Sequence, residues 1–154
     1  MLNLIRIPVD SPSELLAQIF VRTDRVTLAK RVWRGVADDG TEFGFDLDSP
    51  LKHGDTVLQT AEARYIIRQD PEQLIEVSLE MAPSAAAGIG WAIGNLHLEL
   101  SAESSRLLAP DEPAVRNLLT RLAIPYRTTS GIFRPGRFVR GQQATHELGP
   151  SHQH

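Results

Sequence analysis

Hydrophobic positions change rhythm about halfway along this 154-residue chain. In the first half they alternate over short runs. Residues 42–47 put Phe43, Phe45 and Leu47 on one face, the period-two pattern of a half-buried strand. Turn signals bracket that run: Asp38-Asp39-Gly40 before it, and His53-Gly54-Asp55 before Thr56-Val57-Leu58. Glycine adopts the positive φ of such turns without steric cost. Val26, Leu28 and Val32 fall in a further strand-like run. Ser11-Pro12-Ser13-Glu14 predicts a helix start, with Ser11 as cap, Pro12 in the first turn and Glu14 reaching back. Leu15, Leu16, Ile19 and Phe20 then supply its short apolar face. Short strands separated by a turn about every ten residues predict a small barrel or sandwich.

The second half is organised differently. Residues 64–68 and 73–79 are strand-like and divided by Asp70-Pro71. Residues 84–94 predict a helix, with Ile89 and Ile93 four apart and Gly94-Asn95 as its stop. Residues 96–100 alternate and are expected to pair with 106–109. Asp111 is placed to cap a second helix, in which Val115, Leu118, Leu119 and Leu122 keep helical spacing until Pro125 ends it. Residues 126–129 supply the closing strand. The order β-α-β-β-α-β is ferredoxin-like. The expected fold class is therefore α+β: a small all-β domain over 1–70, a ferredoxin-like domain over 71–132, and a flexible C-terminal tail over 133–154.

Composition narrows the function. With 42% hydrophobic and 23% charged residues and a net charge of −3, the chain matches ordinary globular proteins rather than disordered, collagenous or membrane-spanning ones. Residues 81–98 lack Lys, Arg, Asp and Glu, but they are rich in Ala and Gly and carry Pro83, Asn95 and His97. A spanning helix needs about 20 strongly apolar residues, so this stretch is expected to be buried. Residues 1–9 are broken by Arg6 and Pro8 and do not resemble a signal peptide. The expected location is cytoplasmic, with no membrane partner. Cysteine is absent, which excludes disulfide scaffolds, Cys-based zinc fingers, iron–sulfur clusters and thiol catalysis. Any metal site has to be built from His, carboxylate or backbone groups. There is no Gly-rich phosphate loop, no His-Glu-x-x-His and no Gly-x-Ser-x-Gly turn. The pairs Asp38/Asp39 and Asp46/Asp48 read as solvated surface charge. Nothing in the chain points to an enzyme.

Three features stand apart. The first is Gly90-Trp91-Ala92-Ile93-Gly94-Asn95-Leu96-His97. Two glycines cost a helix roughly 1 kcal/mol each, which suggests that another backbone approaches closely. One histidine cannot make a tight metal site, but a twofold axis through this helix would bring two copies of His97 to one ion. The second is the C-terminus, with His146 and then His152-Gln153-His154, an alternating pair that suits Ni(II), Cu(II) or Zn(II). The third is the run Arg116, Arg121, Arg127, Arg134, Arg137 and Arg140, interleaved with Tyr126, Phe133 and Phe138. Such a run can contact nucleic-acid phosphates, although a pI near 5.9 favours a solvated or protein-docking face.

Taken in order, these elements resemble the UreE family of urease accessory nickel chaperones. The resemblance runs from about Arg22 to Phe138. It rests on Asp24-Arg25-Val26-Thr27-Leu28, Thr41-Glu42-Phe43-Gly44-Phe45-Asp46-Leu47, Leu51-Lys52-His53-Gly54-Asp55, Ile93-Gly94-Asn95-Leu96-His97 and Phe133-Arg134-Pro135. It implies a peptide-binding-like N-terminal β domain and a homodimer formed through the ferredoxin-like domain. It also implies that His97 is the interface metal ligand and that His152 and His154, with His146, form a metal-binding tail. Ni(II) would be the cargo, with Cu(II) or Zn(II) bound in vitro. The implied partners are the urease accessory GTPase and the urease apoprotein complex, with no nucleic acid. Two departures stand out. Pro110-Asp111-Glu112-Pro113 occupies the place of an auxiliary His-x-His pair, and Phe133-Arg134-Pro135-Gly136 that of an acidic Phe-Glu-Pro-Glu. The rival readings are a metal-free peptide-binding module and an Arg-rich nucleic-acid binder.

Overall fold

A computed structural model describes residues 1–140 and 144–147, with side chains through 138. The chain divides into two compact units, Met1–Asp70 and Pro71–His154. The fold is mixed α+β, mostly sheet with few helices.

In the first unit, strand β1 (Leu2–Ile5), β2 (Ala17–Thr23), helix α1 (Arg25–Leu28), β3 (Val32–Val36), β4 (Glu42–Asp46), β5 (Thr56–Gln59) and β6 (Ala63–Gln69) follow in sequence. They form two three-stranded sheets of order β1-β4-β3 and β2-β6-β5. Each contains one parallel pair, β1 with β4 and β2 with β6. The alternation over 42–47 holds: Phe43, Phe45 and Leu47 are buried. Trp33 stacks on Phe45 with ring centroids 4.1 Å apart, and Phe43 meets Tyr65 at 5.4 Å. Gly35 is required here, since a Cβ would lie 3.0 Å from both the Trp33 ring and Val21.

Two local expectations are corrected. Residues 11–20 do not form a helix; 17–23 is strand β2, and Leu15 is fully in solvent. The parallel register with β6 buries Val21 and Thr23, which a free-standing amphipathic helix would not achieve. Conversely, 25–28 is helical, because the Asp24 carboxylate accepts hydrogen bonds from the Thr27 N–H (2.7 Å) and hydroxyl (3.0 Å) and so caps the turn.

The second unit runs β7 (Glu72–Ser78), α2 (Pro83–Asn95), β8 (Ser101–Ala102), β9 (Arg106–Pro110), α3 (Pro113–Arg121) and β10 (Arg127–Gly131). The sheet order is β10-β7-β9-β8, antiparallel throughout. Alternation divides the sheet faces. Ile75, Val77, Leu107 and Ala109 pack with Ile89 and Ile93 of α2 and Val115, Leu118 and Leu119 of α3. On the other face Leu74 and Leu108 pack against Phe133. Three details differ from expectation. The strand expected over 96–100 is only Ser101–Ala102. Glu112, not Asp111, is the N-cap of α3, without a side-chain cap bond. Phe133 is fully buried, and Arg137–Arg140 (β11) pairs with Ala144–Glu147 (β12), so the stretch expected to be tail begins with packed residues. No helix of the described residues is long and apolar enough to cross a membrane.

Glu76 sits on the helix-free face beside Phe133's cluster, with its side chain only 8% exposed and hydrogen-bonded by both Arg127 and Arg106. The Arg127 and Arg106 guanidiniums hold its carboxyl below the usual carboxylate range. A carboxyl with a depressed pKa stabilises the fold above its ordinary pKa, and that contribution disappears as pH falls through the ordinary range to the depressed value. Glu76→Gln should therefore lose about 1–3 kcal/mol at pH 7. The gap from the parent should narrow in acid, as measured by urea unfolding at pH 7 and pH 3.

Candidate metal centre

Helix α2 has no charged residue. Ile89 and Ile93 bury one stripe of it against the sheet. Ala87, Gly88, Trp91, Gly94 and Asn95 lie on the exposed side, and Trp91 is 71% exposed. A Cβ added at Gly88, Gly90 or Gly94 would meet no atom within 4 Å. The close backbone approach expected at these glycines is therefore not made by any described residue of the same chain.

His97 follows directly. The chain leaves α2 through Leu96, and His97 takes φ +58°, the left-handed region. The His97 N–H donates to the Gly94 carbonyl (2.9 Å) and the Leu98 N–H to the Ile93 carbonyl (3.4 Å). These two bonds make a Schellman closure, with the hydrophobic contact that accompanies it supplied by Leu98 and Ile93 in one core cluster. Glycine usually takes this position, and a residue with a Cβ pays strain there. Here the residue is histidine, its side chain exposed at the end of the uncharged helix. The Gly94-Asn95 stop expected from sequence thus lies two residues early, and the left-handed residue is the candidate ligand itself.

The other histidines are placed differently. His53 is in the first unit, and its Nδ1 accepts the Gln69 backbone N–H at 3.1 Å, so that nitrogen serves structure. His146 lies on β12, opposite Phe138, and its side chain is outside the described residues. His152 and His154 are also outside them. Among the described residues no group of three or more His, Asp or Glu converges on one point. His97 can thus offer an ion one imidazole from the described part of its own chain.

The arginine run is less free than its sequence suggests. Arg116 donates to both Asp111 oxygens at 2.6 and 2.9 Å, which raises its pKa above the usual arginine value. Arg127 is taken by Glu76, 51 residues away. No composition count within 116–140 contains these carboxylates, which is why the run looks unopposed in sequence. Trp91, an aromatic residue between Gly90 and Gly94 on this alanine-rich helix, is exposed where periodicity alone does not single it out.

Residues 72–154 match the family model described as the C-terminal domain of the UreE urease accessory protein. A urease accessory protein UreE of Bifidobacterium longum is 32% identical over 104 residues, covering 68% of this chain and 47% of the relative. The UreE of Lysinibacillus sphaericus is 29% identical over 120 residues, covering 74% and 78%. That of Staphylococcus aureus is 31% identical over 101 residues, covering 64% and 67%. The aligned part of this chain thus spans about half the length of the Bifidobacterium relative and two thirds or more of the other two.

The left-handed backbone at residue 97 can be tested apart from any metal. His97→Gly should be more stable than His97→Ala by about 1 kcal/mol, since only glycine is free of the left-handed penalty. Chemical denaturation of the two variants measures the difference. Equal stabilities would show that the reversal imposes no strain.

Proposed function

Since the chain belongs to the UreE urease accessory protein family, an accessory family and not an enzyme family, we propose that it is a nickel metallochaperone acting in urease maturation. Two chains join through the second unit, and two His97 imidazoles hold one Ni(II) between them. The observation that carries this reading is the exposed His97 at the strained end of an uncharged helix whose glycines and Trp91 are left uncovered by the described residues. A second copy of α2 supplies both the missing cover and the missing ligand. The β10-β7-β9-β8 order with its two helices supports a ferredoxin-like reading of 71–132. The first unit, over 1–70, is then the peptide-binding-like domain.

In this reading His146, His152 and His154 complete the coordination and are exchanged stepwise for the acceptor's ligands. The partners are the urease accessory GTPase and the urease apoprotein complex, in the cytoplasm, with neither nucleic acid nor membrane involved. Imidazole ligands also take Cu(II) and Zn(II), copper more tightly than nickel, so preference for nickel reflects supply and acceptor as much as affinity. The pairing of Arg116 and Arg127 with carboxylates supports leaving nucleic acid out.

Calorimetric titration of Ni(II) into the full chain, with mass measurement in parallel, tests the proposal. The expected result is one tight Ni(II) per dimer, lost in His97→Ala while the dimer persists. Binding should also weaken in acid, because protons compete with the metal for imidazole nitrogens. Unchanged stoichiometry and affinity in His97→Ala would refute the interface site.

A further inference from the structure

The helix-free face of the second unit's sheet carries a trough that the metal reading does not use. Its volume is about 520 Å³, and the end of β7, the start of β9 and the approach to β10 line it. Strand register fixes the layout. Arg127 pairs with Glu76, so Pro125 continues the row opposite Ser78, and Arg106 flanks Ser78 on the other side. Ile75 and Val77 pack toward the helices, and alternation turns Glu76 and Ser78 to the opposite face. Glu80 follows, its N–H donating to the Ser78 hydroxyl at 3.2 Å. Along the trough the order is Arg127 with Glu76, then Pro125 beside Ser78, then Glu80.

The charges here are unequally engaged. Glu76 is shielded and accepts from Arg127 Nε and Arg106 Nη1. Arg106 spends its Nε and Nη2 on Glu103, so both edges of its guanidinium are occupied. Arg127 is the exception. Its side chain is 76% exposed, and beyond the Nε bond to Glu76 its two Nη groups have no acceptor among the described residues. Glu80 is exposed, and its carboxylate has no cationic partner among the described residues. The trough therefore offers one open guanidinium edge and one open carboxylate, with a proline ring between them.

We propose that this trough binds a small zwitterion, a molecule with one carboxylate, one ammonium group and a short methylene chain joining them. The carboxylate takes the open edge of Arg127, whose planar fork suits bidentate contact. Glu76 already holds that guanidinium through Nε, so the open edge is oriented before the ligand arrives. The methylenes pack on Pro125, and the ammonium group meets Glu80. Charge selects this class. The two guanidiniums are outnumbered by Glu76, Glu80 and Glu103, which leaves the site one negative charge. A plain anion on Arg127 would also face Glu76 and Glu80, and a plain amine at Glu80 would leave the Arg127 edge open. A neutral molecule with separated charges satisfies both ends. The site shares no residue with the proposed nickel centre, so the two can fail separately.

The test uses the metal-free full chain and δ-aminovalerate as the probe, with amide and arginine side-chain NMR shifts followed during titration. Valerate lacks the ammonium group, pentylamine lacks the carboxylate, and inorganic phosphate is a plain anion. The expected result is saturable shifts centred on 76–80, 105–106 and 125–127. Each control should bind about fivefold more weakly, the scale of one exposed ion pair. Glu80→Gln should reduce δ-aminovalerate to the valerate level without weakening valerate. Arg127→Gln should reduce it to the pentylamine level without weakening pentylamine. Three outcomes would overturn the proposal: no saturable shift up to about 50 mM probe, shifts centred elsewhere, or any control binding as tightly as δ-aminovalerate. Glu80 is exposed, so its variant and the ligand series decide the matter even where Arg127→Gln disturbs Glu76.

Discussion

Helix α2 must stop and reverse within three residues if Leu98 is to rejoin the core beside Ile93. An L-amino-acid chain makes that reversal through one left-handed residue. The candidate metal centre depends on this constraint. The two carbonyls left open by the helix end are satisfied by the His97 and Leu98 N–H groups, so the backbone of residue 97 is held from both sides. An imidazole fixed to such a backbone points from a rigid helix end and not from a loop. Glycine would close the helix at lower cost. In the proposed reading, histidine at this position sets local stability against ligand chemistry; residues in rare backbone regions concentrate at functional sites.

Charge placement follows a second logic. On the second unit's sheet, Arg106 and Arg127 converge on Glu76, 30 and 51 residues away, and off the sheet Arg116 pairs with Asp111 five residues before it. A shielded carboxylate with two guanidinium partners organises its surroundings, because neither charge tolerates the loss of the other. The β2–β6 face is the opposite case. There, cations are neighbours of cations and rest on an aromatic ring, and among the described residues Arg22 pairs with a carboxylate, Asp38. Two sheets of one small protein thus treat arginine differently.

Much of this was legible in the sequence wherever a pattern extended over several residues. The alternation at Phe43, Phe45 and Leu47 and the helical spacing of Val115, Leu118 and Leu119 both place the residues that are buried. Local signals failed where long-range pairing outweighed them. Ser11-Pro12-Ser13-Glu14 reads as a helix cap, but the register of β2 with β6, from Ala17 with Ala63 to Thr23 with Gln69, decides the state of 17–23. In the reverse sense, Val26 and Leu28 look like strand until Asp24 is seen to cap them. His97 was legible as a residue through its motif. Its conformation was not, since Gly94 and Asn95 carry the usual stop signal and histidine does not.

The absence of cysteine gives these observations a common direction. Thiolates bind borderline and soft metals tightly and release them slowly, whereas neutral imidazole alone forms a more labile site. A carrier has to bind its ion and also surrender it. In the proposed reading, His97 of each chain, shared across a twofold axis, meets that need: separation of the two helices removes half of the interface ligands. A strained but backbone-anchored ligand sharpens the balance further, because its orientation is set before the ion arrives and does not have to be reorganised when the ion leaves. Lability at the centre then comes from few ligands and not from a loose scaffold. For that reason the rigid closure at residues 96–98 and the exposure of His97 belong to the same design.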